Sequence, residues 1–281
     1  MSKITIHTLK EKKQRGESIT FLTAYDYPFA MMEQEAGIDV ILVGDSMGMV
    51  VFGYDSTLPV TMDLMIPHVK AVRAGAPYAY LVGDMPYMSY QVSKSEAIRN
   101  GGRFMAEGGC DAVKLEGGRE MAETIKAMVD ATIPVMAHIG LTPQSVASLG
   151  GYKAQGRDVK AATRLIEDAK ILEDAGVSSI LLEAVPSEVA AIIRRRTTLP
   201  VFGIGAGPLC DGQVLVIHDL IGMFDRKPPK FVKKYADGRA LILQALREFK
   251  EDVSAKAFPA KEHCYPMPED AARELAKLYP E

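Results

Sequence analysis

Acidic side chains end four short apolar stretches of the sequence. The stretches are VILVGDSMG, YLVGDM, AVKLEGG and ILLEAVP, and their acids are Asp45, Asp84, Glu116 and Glu183. Lys114 lies two residues before Glu116, so strand alternation would direct both side chains to the same side. Several carboxylates on one rim repel one another unless a cation or a proton neutralises them. Because carboxylates and waters are preferred ligands of Mg²⁺ and Mn²⁺, the set predicts one hard divalent cation with positions open to substrate.

Each acid taken alone has a simpler interpretation. An aspartate that follows a strand is most often a turn former or a helix N-cap, and both Asp45 and Asp84 fit that role. The interpretation as one site therefore depends on all the acids lying at the same end of a sheet.

Three further motifs carry weaker signals. His138, in MAHIG, could donate to a substrate oxygen, and we expect it to contact or support the substrate without being the principal base. GIGAG (203–207) resembles a phosphate-binding loop, although glycine also simply allows close approach to the backbone. His218 and Asp219 are adjacent on an expected strand and would face opposite ways, which favours a structural role.

Eight short apolar runs are expected to be the strands that position these residues. They cover residues 18–25, 39–46, 78–85, 112–118, 133–140, 178–185, 199–207 and 213–222. Helical patterns lie between them, at 62–74, 93–107, 119–132, 158–175 and 187–196. This alternation predicts an α/β fold, a (β/α)₈ TIM-type barrel, with an open doubly wound sheet as the competitor. In a barrel, the carboxyl ends of the strands converge on one mouth, where the acids would meet.

The end of the chain has a different pattern. After residue 231 it becomes helical over 238–253, continues through a loop and closes with a short helix. No linker of low complexity divides the chain. We therefore expect one barrel domain over 1–281, with 238–281 as a C-terminal helical extension.

Composition excludes several function classes. The 281 residues are 48% apolar and 25% charged, with a formal net charge of −3, which gives no electrostatic signature for nucleic acid or an anionic membrane. The sequence has neither a signal-like segment nor a run of eighteen apolar residues, so we expect a cytoplasmic protein. The three cysteines lack the spacing of a zinc site or a disulfide framework.

Long ordered motifs identify a resemblance. GDSMGMVVFGYDSTLPVTMDLMIPHVKAV (44–72) is similar to the ketopantoate hydroxymethyltransferase family, the first committed enzymes of pantothenate biosynthesis. FLTAYDYPFA (21–30), VGDMPYMSY (82–90), HIGLTPQSV (138–146) and GIGAGPLCDGQVLVIHDLIG (203–222) continue the likeness, which runs to about residue 264.

The resemblance implies an activity and its participants. These are a (β/α)₈ barrel, one Mg²⁺ per subunit, and transfer of a hydroxymethyl unit from 5,10-methylenetetrahydrofolate to 3-methyl-2-oxobutanoate (α-ketoisovalerate). The products would be 2-dehydropantoate (ketopantoate) and tetrahydrofolate. Family members assemble as homo-oligomers, decamers in several bacteria, which predicts a decamer here.

The resemblance also implies roles for individual residues. Asp45 and Asp84 would hold the metal and border the substrate, and Glu116 would join them directly or through water. Ser46 and Lys114 would contact the ketoacid. Glu183 would be the proton acceptor that forms the enolate.

Two other functions fit a metal-binding barrel. One is another magnesium enzyme acting on 2-oxo acid enolates, of the phosphonomutase or isocitrate lyase type, although the cysteine-bearing loop typical of those enzymes is not found in the sequence. The other is a non-catalytic metabolite-binding barrel, which the joint presence of a base, metal ligands and Lys114 disfavours.

Overall fold

The computed structural model describes residues 2–225 and 228–280, which divide into two compact units. The first unit covers residues 2–220 and 228–233, and the second covers residues 221–225 and 234–280. Met1 and Glu281, the ends of the expected domain, lie outside the described residues. The interpretation of 238–281 as an extension of a single domain stays a prediction.

The first unit is a closed barrel of eight parallel strands. The strands are β1 (Ile19–Thr23), β2 (Val40–Val43), β3 (Tyr80–Asp84), β4 (Ala112–Glu116), β5 (Val135–Gly140), β6 (Ser179–Glu183), β7 (Val201–Ile204) and β8 (Gly212–Leu215). Each strand pairs with the next, and β8 pairs with β1. Most strand residues are buried because both faces of the sheet are covered, and Thr20 and Gln213 are exposed. The predicted (β/α)₈ fold is confirmed.

The described residues also form α-helices, of which α11 and α12 belong to the second unit. Their bounds are α1 (Ile6–Gln14), α2 (Tyr27–Glu35), α3 (Met47–Val50), α4 (Met62–Gly75), α5 (Lys94–Ala106), α6 (Ala122–Asp130), α7 (Val146–Leu149), α8 (Val159–Asp174), α9 (Ser187–Arg196), α10 (Ile217–Leu220), α11 (Gly238–Ser254) and α12 (Glu269–Leu278). Side-chain oxygens start several of them, since Asp26, Ser93 and Asp158 each accept a hydrogen bond from the first turn of the helix that follows.

Alternate strand residues fill the barrel interior with apolar side chains. Inside the barrel, the rings of Phe21 and Phe202 meet edge to face, with their centroids 5.1 Å apart. Leu9 of α1 packs beneath them and closes the amino-terminal end. The same alternation continues toward the carboxyl ends of the strands, where the inward positions become polar. Apolar side chains therefore fill the barrel toward the amino-terminal ends of the strands, and polar side chains gather at the carboxyl ends.

The prediction for the eighth strand was too long. The apolar run 213–222 contains a strand only as far as Leu215, and His218 and Asp219 lie in α10. The argument that these two residues face opposite sides of a strand was therefore wrong. Backbone turns explain the change, because the N–H groups of Asp219 and Leu220 bond back to the carbonyl of Val216.

Aspartates hold the strands at the amino-terminal end of the barrel, far from the mouth. Asp211, directly before β8, accepts a hydrogen bond from the N–H of Val201 at 2.9 Å. Its carboxylate also pairs with Arg194 at 2.6 Å and with Lys13 at 3.1 Å. Asp39 and Asp111 repeat the arrangement before β2 and β4, by accepting from the N–H groups of neighbouring strands and pairing with cations. These buried pairs tie adjacent strands together.

The second unit contains helices α11 and α12. Neither helix has a buried residue, and apolar side chains such as Leu241 and Leu278 are exposed. In the part of the chain that the structure describes, no helix has both the length and the apolar character needed to cross a membrane.

Candidate active site

The strand register brings the predicted polar residues to one end of the barrel. Asp84 pairs in register with Lys114 on the neighbouring strand, and Glu116 pairs with His138. Glu183 ends β6 opposite Gly140, two residues beyond the position of His138. All five are at or near the carboxyl ends of their strands, which is where barrel enzymes perform their chemistry.

Lys114 forms the central ion pair of the mouth. Its ammonium lies 2.6 Å from Asp84 Oδ1 and 3.7 Å from Glu116 Oε1. Burial lowers the pKa of Lys114, but the negative charges of Asp84, Glu116 and Asp45 outweigh burial and raise it above its ordinary value. Lys114 therefore remains an ammonium although it is only 3% exposed.

Asp45 lies two residues beyond the end of β2 and turns into the same cluster. Its backbone N–H donates to Asp84 Oδ2 at 3.0 Å. Burial, and then the charge of Asp84, raise the pKa of the Asp45 carboxyl well above its ordinary value. Neither acid caps a helix, since the N-cap of α3 is Ser46 and Asp84 lies within β3. The simpler interpretation as helix caps does not apply to them.

Ser46 is held by a tyrosine. Its hydroxyl lies 2.9 Å from that of Tyr25, which is almost fully buried at the end of β1. Ser46 makes no capping bond to its own helix, so its hydroxyl is directed by Tyr25. Sequence reasoning named Ser46 but missed Tyr25.

His138 lies between two carboxylates. Its Nδ1 is 3.4 Å from Glu116 Oε1, and its Nε2 is 3.3 Å from Glu183 Oε2. Burial and Lys114 lower the pKa of His138, but the two carboxylates outweigh them and raise it to about 9. The imidazole is thus a cation at neutral pH. Burial raises the pKa of Glu116, but His138 and Lys114 more than offset burial and hold that pKa below its ordinary value.

Glu183 is the most accessible acid of the cluster. Its side chain is 15% exposed, compared with 2% for those of Asp84 and Glu116. It is also separated from the Lys114–Asp84 pair by His138. A ligand that enters the mouth can therefore meet a carboxylate that is not already bound to a lysine.

The charges of the cluster suit a divalent cation. It holds four carboxyl groups against one ammonium and one imidazolium, so full ionisation leaves a surplus of two negative charges. Burial is the main cause of the raised pKa of Asp45, and repulsion by Asp84 adds to it. A doubly charged cation would relieve this repulsion.

The geometry suits a metal site in which the protein supplies only some of the ligands. Within residues 2–225 and 228–280, no group of three or more His, Cys, Asp or Glu side chains is arranged to hold a metal ion. The set of Asp45, Asp84 and Glu116 as three direct ligands therefore stays a prediction. Mg²⁺ is commonly held by one or two carboxylates and completes its shell with water and substrate oxygens. Asp45 and Asp84, bonded to each other through a backbone N–H, fit that pattern.

Two residues that sequence reasoning missed join the acids. Gln144, after β5, donates from Nε2 to Asp45 Oδ2 at 2.9 Å and from its backbone N–H to Glu116 Oε2 at 2.9 Å. Tyr90 donates to Gln144 Oε1 at 2.7 Å. Both residues lie in loops that follow strands, but a neutral side chain has no charge or metal-ligand spacing to mark it in a sequence.

The glycine-rich stretch after β7 is filled by protein. A Cβ on Gly205, whose φ is +64°, would lie 2.7 Å from the ring of Phe231. A Cβ on Gly207 would lie 2.4 Å from Cβ of Ser187. Close packing therefore accounts for these glycines without a phosphate ligand.

Comparison with known sequences identifies relatives over the full chain. Residues 3–261 match the sequence profile of ketopantoate hydroxymethyltransferase. The 3-methyl-2-oxobutanoate hydroxymethyltransferase of Syntrophomonas wolfei subsp. wolfei is 56% identical over 279 residues, which cover 99% of this chain and 100% of the relative. The enzyme of the same name from Carboxydothermus hydrogenoformans is 55% identical with the same coverage.

Comparison with solved structures supports the fold. Phosphonopyruvate hydrolase in complex with oxalate and Mg²⁺ has a TM-score of 0.61 at 13% identity and covers 99% of both chains. 2,3-Dimethylmalate lyase, a member of the PEP mutase/isocitrate lyase superfamily, has a TM-score of 0.59 at 17% identity and covers 92% of this chain and 91% of its own. At these identities the likeness concerns the barrel alone.

The sequence relatives, by contrast, are identical to this chain at more than half of the aligned positions. They confirm the prediction of a hydroxymethyltransferase and connect the protein to pantothenate biosynthesis. The chain belongs to the ketopantoate hydroxymethyltransferase family.

Proposed function

We propose that the protein transfers a hydroxymethyl unit from 5,10-methylenetetrahydrofolate to 3-methyl-2-oxobutanoate, and so forms ketopantoate and tetrahydrofolate. The proposal is carried by one observation in addition to family membership. Acids on β3, β4 and β6 and in the turn after β2 meet Lys114 and His138 at one mouth, and Glu183 is the accessible acid. This arrangement suits the removal of a proton from an acidified carbon.

Asp45 and Asp84 are the proposed protein ligands of one Mg²⁺, and Glu116 supports them through water. When bound, the cation supplies a positive charge that favours the enolate of a 2-oxo acid. The protein itself fixes the positions of these carboxylates through hydrogen bonds and an ion pair. Asp84 is fixed by Lys114 and by the Asp45 N–H, and Glu116 accepts from the N–H of Gln144.

Glu183 is the proposed base that removes the C3 proton of the ketoacid. Its Oε2 lies 3.3 Å from His138 Nε2, a contact that orients the carboxylate in the mouth. The partial exposure of Glu183 lets a carbon acid approach it. A positioned carboxylate of this kind contributes about 10²- to 10⁴-fold to a proton transfer.

Lys114, His138 and Ser46 are proposed to bind the ketoacid with Asp45 and Asp84 alongside. Once a divalent cation offsets the surplus negative charge of the cluster, Lys114 and His138 can attract the substrate carboxylate. Ser46 offers a hydroxyl oriented by Tyr25. The carbanion formed at C3 then bonds to the methylene carbon of the folate as one C–N bond to that carbon breaks. Water supplies the hydroxyl group as the second C–N bond breaks, which releases tetrahydrofolate. Cytoplasmic location and a homo-oligomeric, decameric assembly stay predictions.

Product formation tests the proposal. The protein is incubated with Mg²⁺, 3-methyl-2-oxobutanoate and 5,10-methylenetetrahydrofolate, and ketopantoate is measured by mass spectrometry. We expect product that depends on all three additions and is lost with EDTA. Absence of ketopantoate together with turnover of phosphonopyruvate would instead support an enzyme of the phosphonomutase type.

A further inference from the structure

Gln144 is a buried amide whose hydrogen-bonding groups all have partners. Its Nε2 donates to Asp45 Oδ2 at 2.9 Å and to the carbonyl oxygen of Met85 at 3.0 Å. Its Oε1 accepts from the hydroxyl of Tyr90 at 2.7 Å and from Gln91 Nε2 at 3.4 Å. Gln144 is 5% exposed, so water does not compete freely for these groups.

The neighbours fix which end of the amide faces Asp45. The backbone N–H of Glu116 can only donate, and it does so to the Tyr90 oxygen at 3.1 Å. The hydrogen of Tyr90 is then directed to Gln144 Oε1 at 2.7 Å rather than to the Glu116 carbonyl at 3.3 Å. The carbonyl of Met85 can only accept and independently requires the NH₂ group on its side. Asp45 therefore always meets a donor at Oδ2.

We infer that Gln144 is a positioning residue for the cation-binding carboxylate of Asp45, with Tyr90 as its support. The donor at Oδ2 orients the carboxylate and leaves Oδ1 for a ligand. The backbone N–H of Gln144 places Glu116 at the same time, so one connection after β5 arranges an acid of β4 and an acid of the turn after β2. The inference rests on the cation site of the proposed function. It states that the Asp45 carboxylate is oriented by two neutral side chains, those of Gln144 and Tyr90.

Substitution of Gln144 by leucine isolates this role. Leucine fills a similar volume and keeps the backbone N–H bond to Glu116, but it has no donor for Asp45. Partners of metal ligands typically contribute 10- to 100-fold to metal affinity, so we expect Gln144→Leu to weaken Mn²⁺ binding by at least about tenfold. Tyr90→Phe removes the donor to Oε1 and the acceptor of the Glu116 N–H but keeps the Gln144 amide, and we expect a smaller loss in the same direction.

Mn²⁺ binding to the purified full chain, measured by electron paramagnetic resonance, provides the test without use of activity. Tyr80→Phe is the matched control, because Tyr80 is a buried tyrosine at the opposite end of β3. We expect it to bind Mn²⁺ as the wild type does. If Tyr90 acts through Gln144, Tyr90→Phe causes no further loss in the Gln144→Leu background.

The outcomes separate this inference from the proposed function. Wild-type protein that does not bind Mn²⁺ refutes the cation site itself, and with it the positioning role. Wild-type binding that is unchanged in Gln144→Leu refutes the positioning role alone. Circular dichroism checks that each variant folds. If Gln144→Leu does not fold, the Mn²⁺ affinities of Tyr90→Phe and Tyr80→Phe are compared instead. Equal affinities of these two variants would then refute the positioning role.

Discussion

Glu33 on α2 is a buried acid that the proposed reaction does not use, and it makes stability depend on pH. It is 4% exposed, and neither of its carboxyl oxygens has a hydrogen-bond partner among the described residues. Burial, and to a lesser degree the charge of Asp26, raise its pKa from 4.5 to about 8. At neutral pH the folded protein therefore keeps Glu33 protonated, whereas the unfolded chain ionises it.

The sign and size of the effect follow from this difference. A folded-state pKa above the unfolded one means that stability is greatest below the unfolded pKa and falls as the pH rises toward the folded pKa. Between pH 5 and pH 8 the unfolded state loses a proton that the folded state largely retains. Since each pKa unit corresponds to ~1.4 kcal/mol, the free energy of unfolding decreases by about 3 kcal/mol over this interval from Glu33 alone.

Urea unfolding of the wild type and Glu33→Gln, at fixed protein concentration and several pH values, measures this contribution. Other titrating groups are common to both proteins and cancel in the difference. We expect Glu33→Gln to gain about 3 kcal/mol relative to the wild type between pH 5 and pH 8. Glu35→Gln, an exposed position on the same helix, is the control and is expected to show no such gain. A difference that stays flat with pH for Glu33→Gln would refute the assignment of a raised pKa.

Two other substitutions probe the two ends of the barrel. Asp211→Asn removes the buried carboxylate that pairs with the partly buried Lys13, so we expect a loss of about 1.5–3 kcal/mol in urea unfolding, with unchanged Mn²⁺ affinity of the folded protein. A loss below about 1 kcal/mol would contradict this. Lys114→Met removes the ammonium beside Asp84. We expect the KM for the ketoacid to rise about tenfold or more while Mn²⁺ still binds. An unchanged KM would show that Lys114 does not bind the ketoacid.

The fold was predictable because most residues of the strands are buried on both faces of the sheet. Continuous apolar runs marked all eight, and the acids at their ends were recognisable because parallel strands direct them to one mouth. The run around His218 was misassigned, since VLVIHDLIG stays apolar past Leu215 while the backbone turns into α10. Hydrophobic pattern alone does not separate a short buried helix from the end of a strand.

The contacts between site residues were not predictable from the sequence. Lys114 is paired with Asp84 because two strands align in register, which no spacing within one strand reveals. Gln144 is neutral and comes from a loop 99 positions away from Asp45. Its role depends on the direction of hydrogen bonds from Tyr90, which only a three-dimensional arrangement specifies.

Loss of deuterium exchange in Glu183→Gln tests the central claim most directly. Exchange at C3 of 3-methyl-2-oxobutanoate in D₂O with Mg²⁺, followed by proton NMR, reports enolate formation without the folate. We expect Glu183→Gln to slow exchange by about 10²- to 10⁴-fold while Mn²⁺ binding persists. Glu188→Gln, on the exposed first turn of α9, is expected to exchange at the wild-type rate. Exchange at the wild-type rate in Glu183→Gln would contradict the assignment of Glu183 as the base.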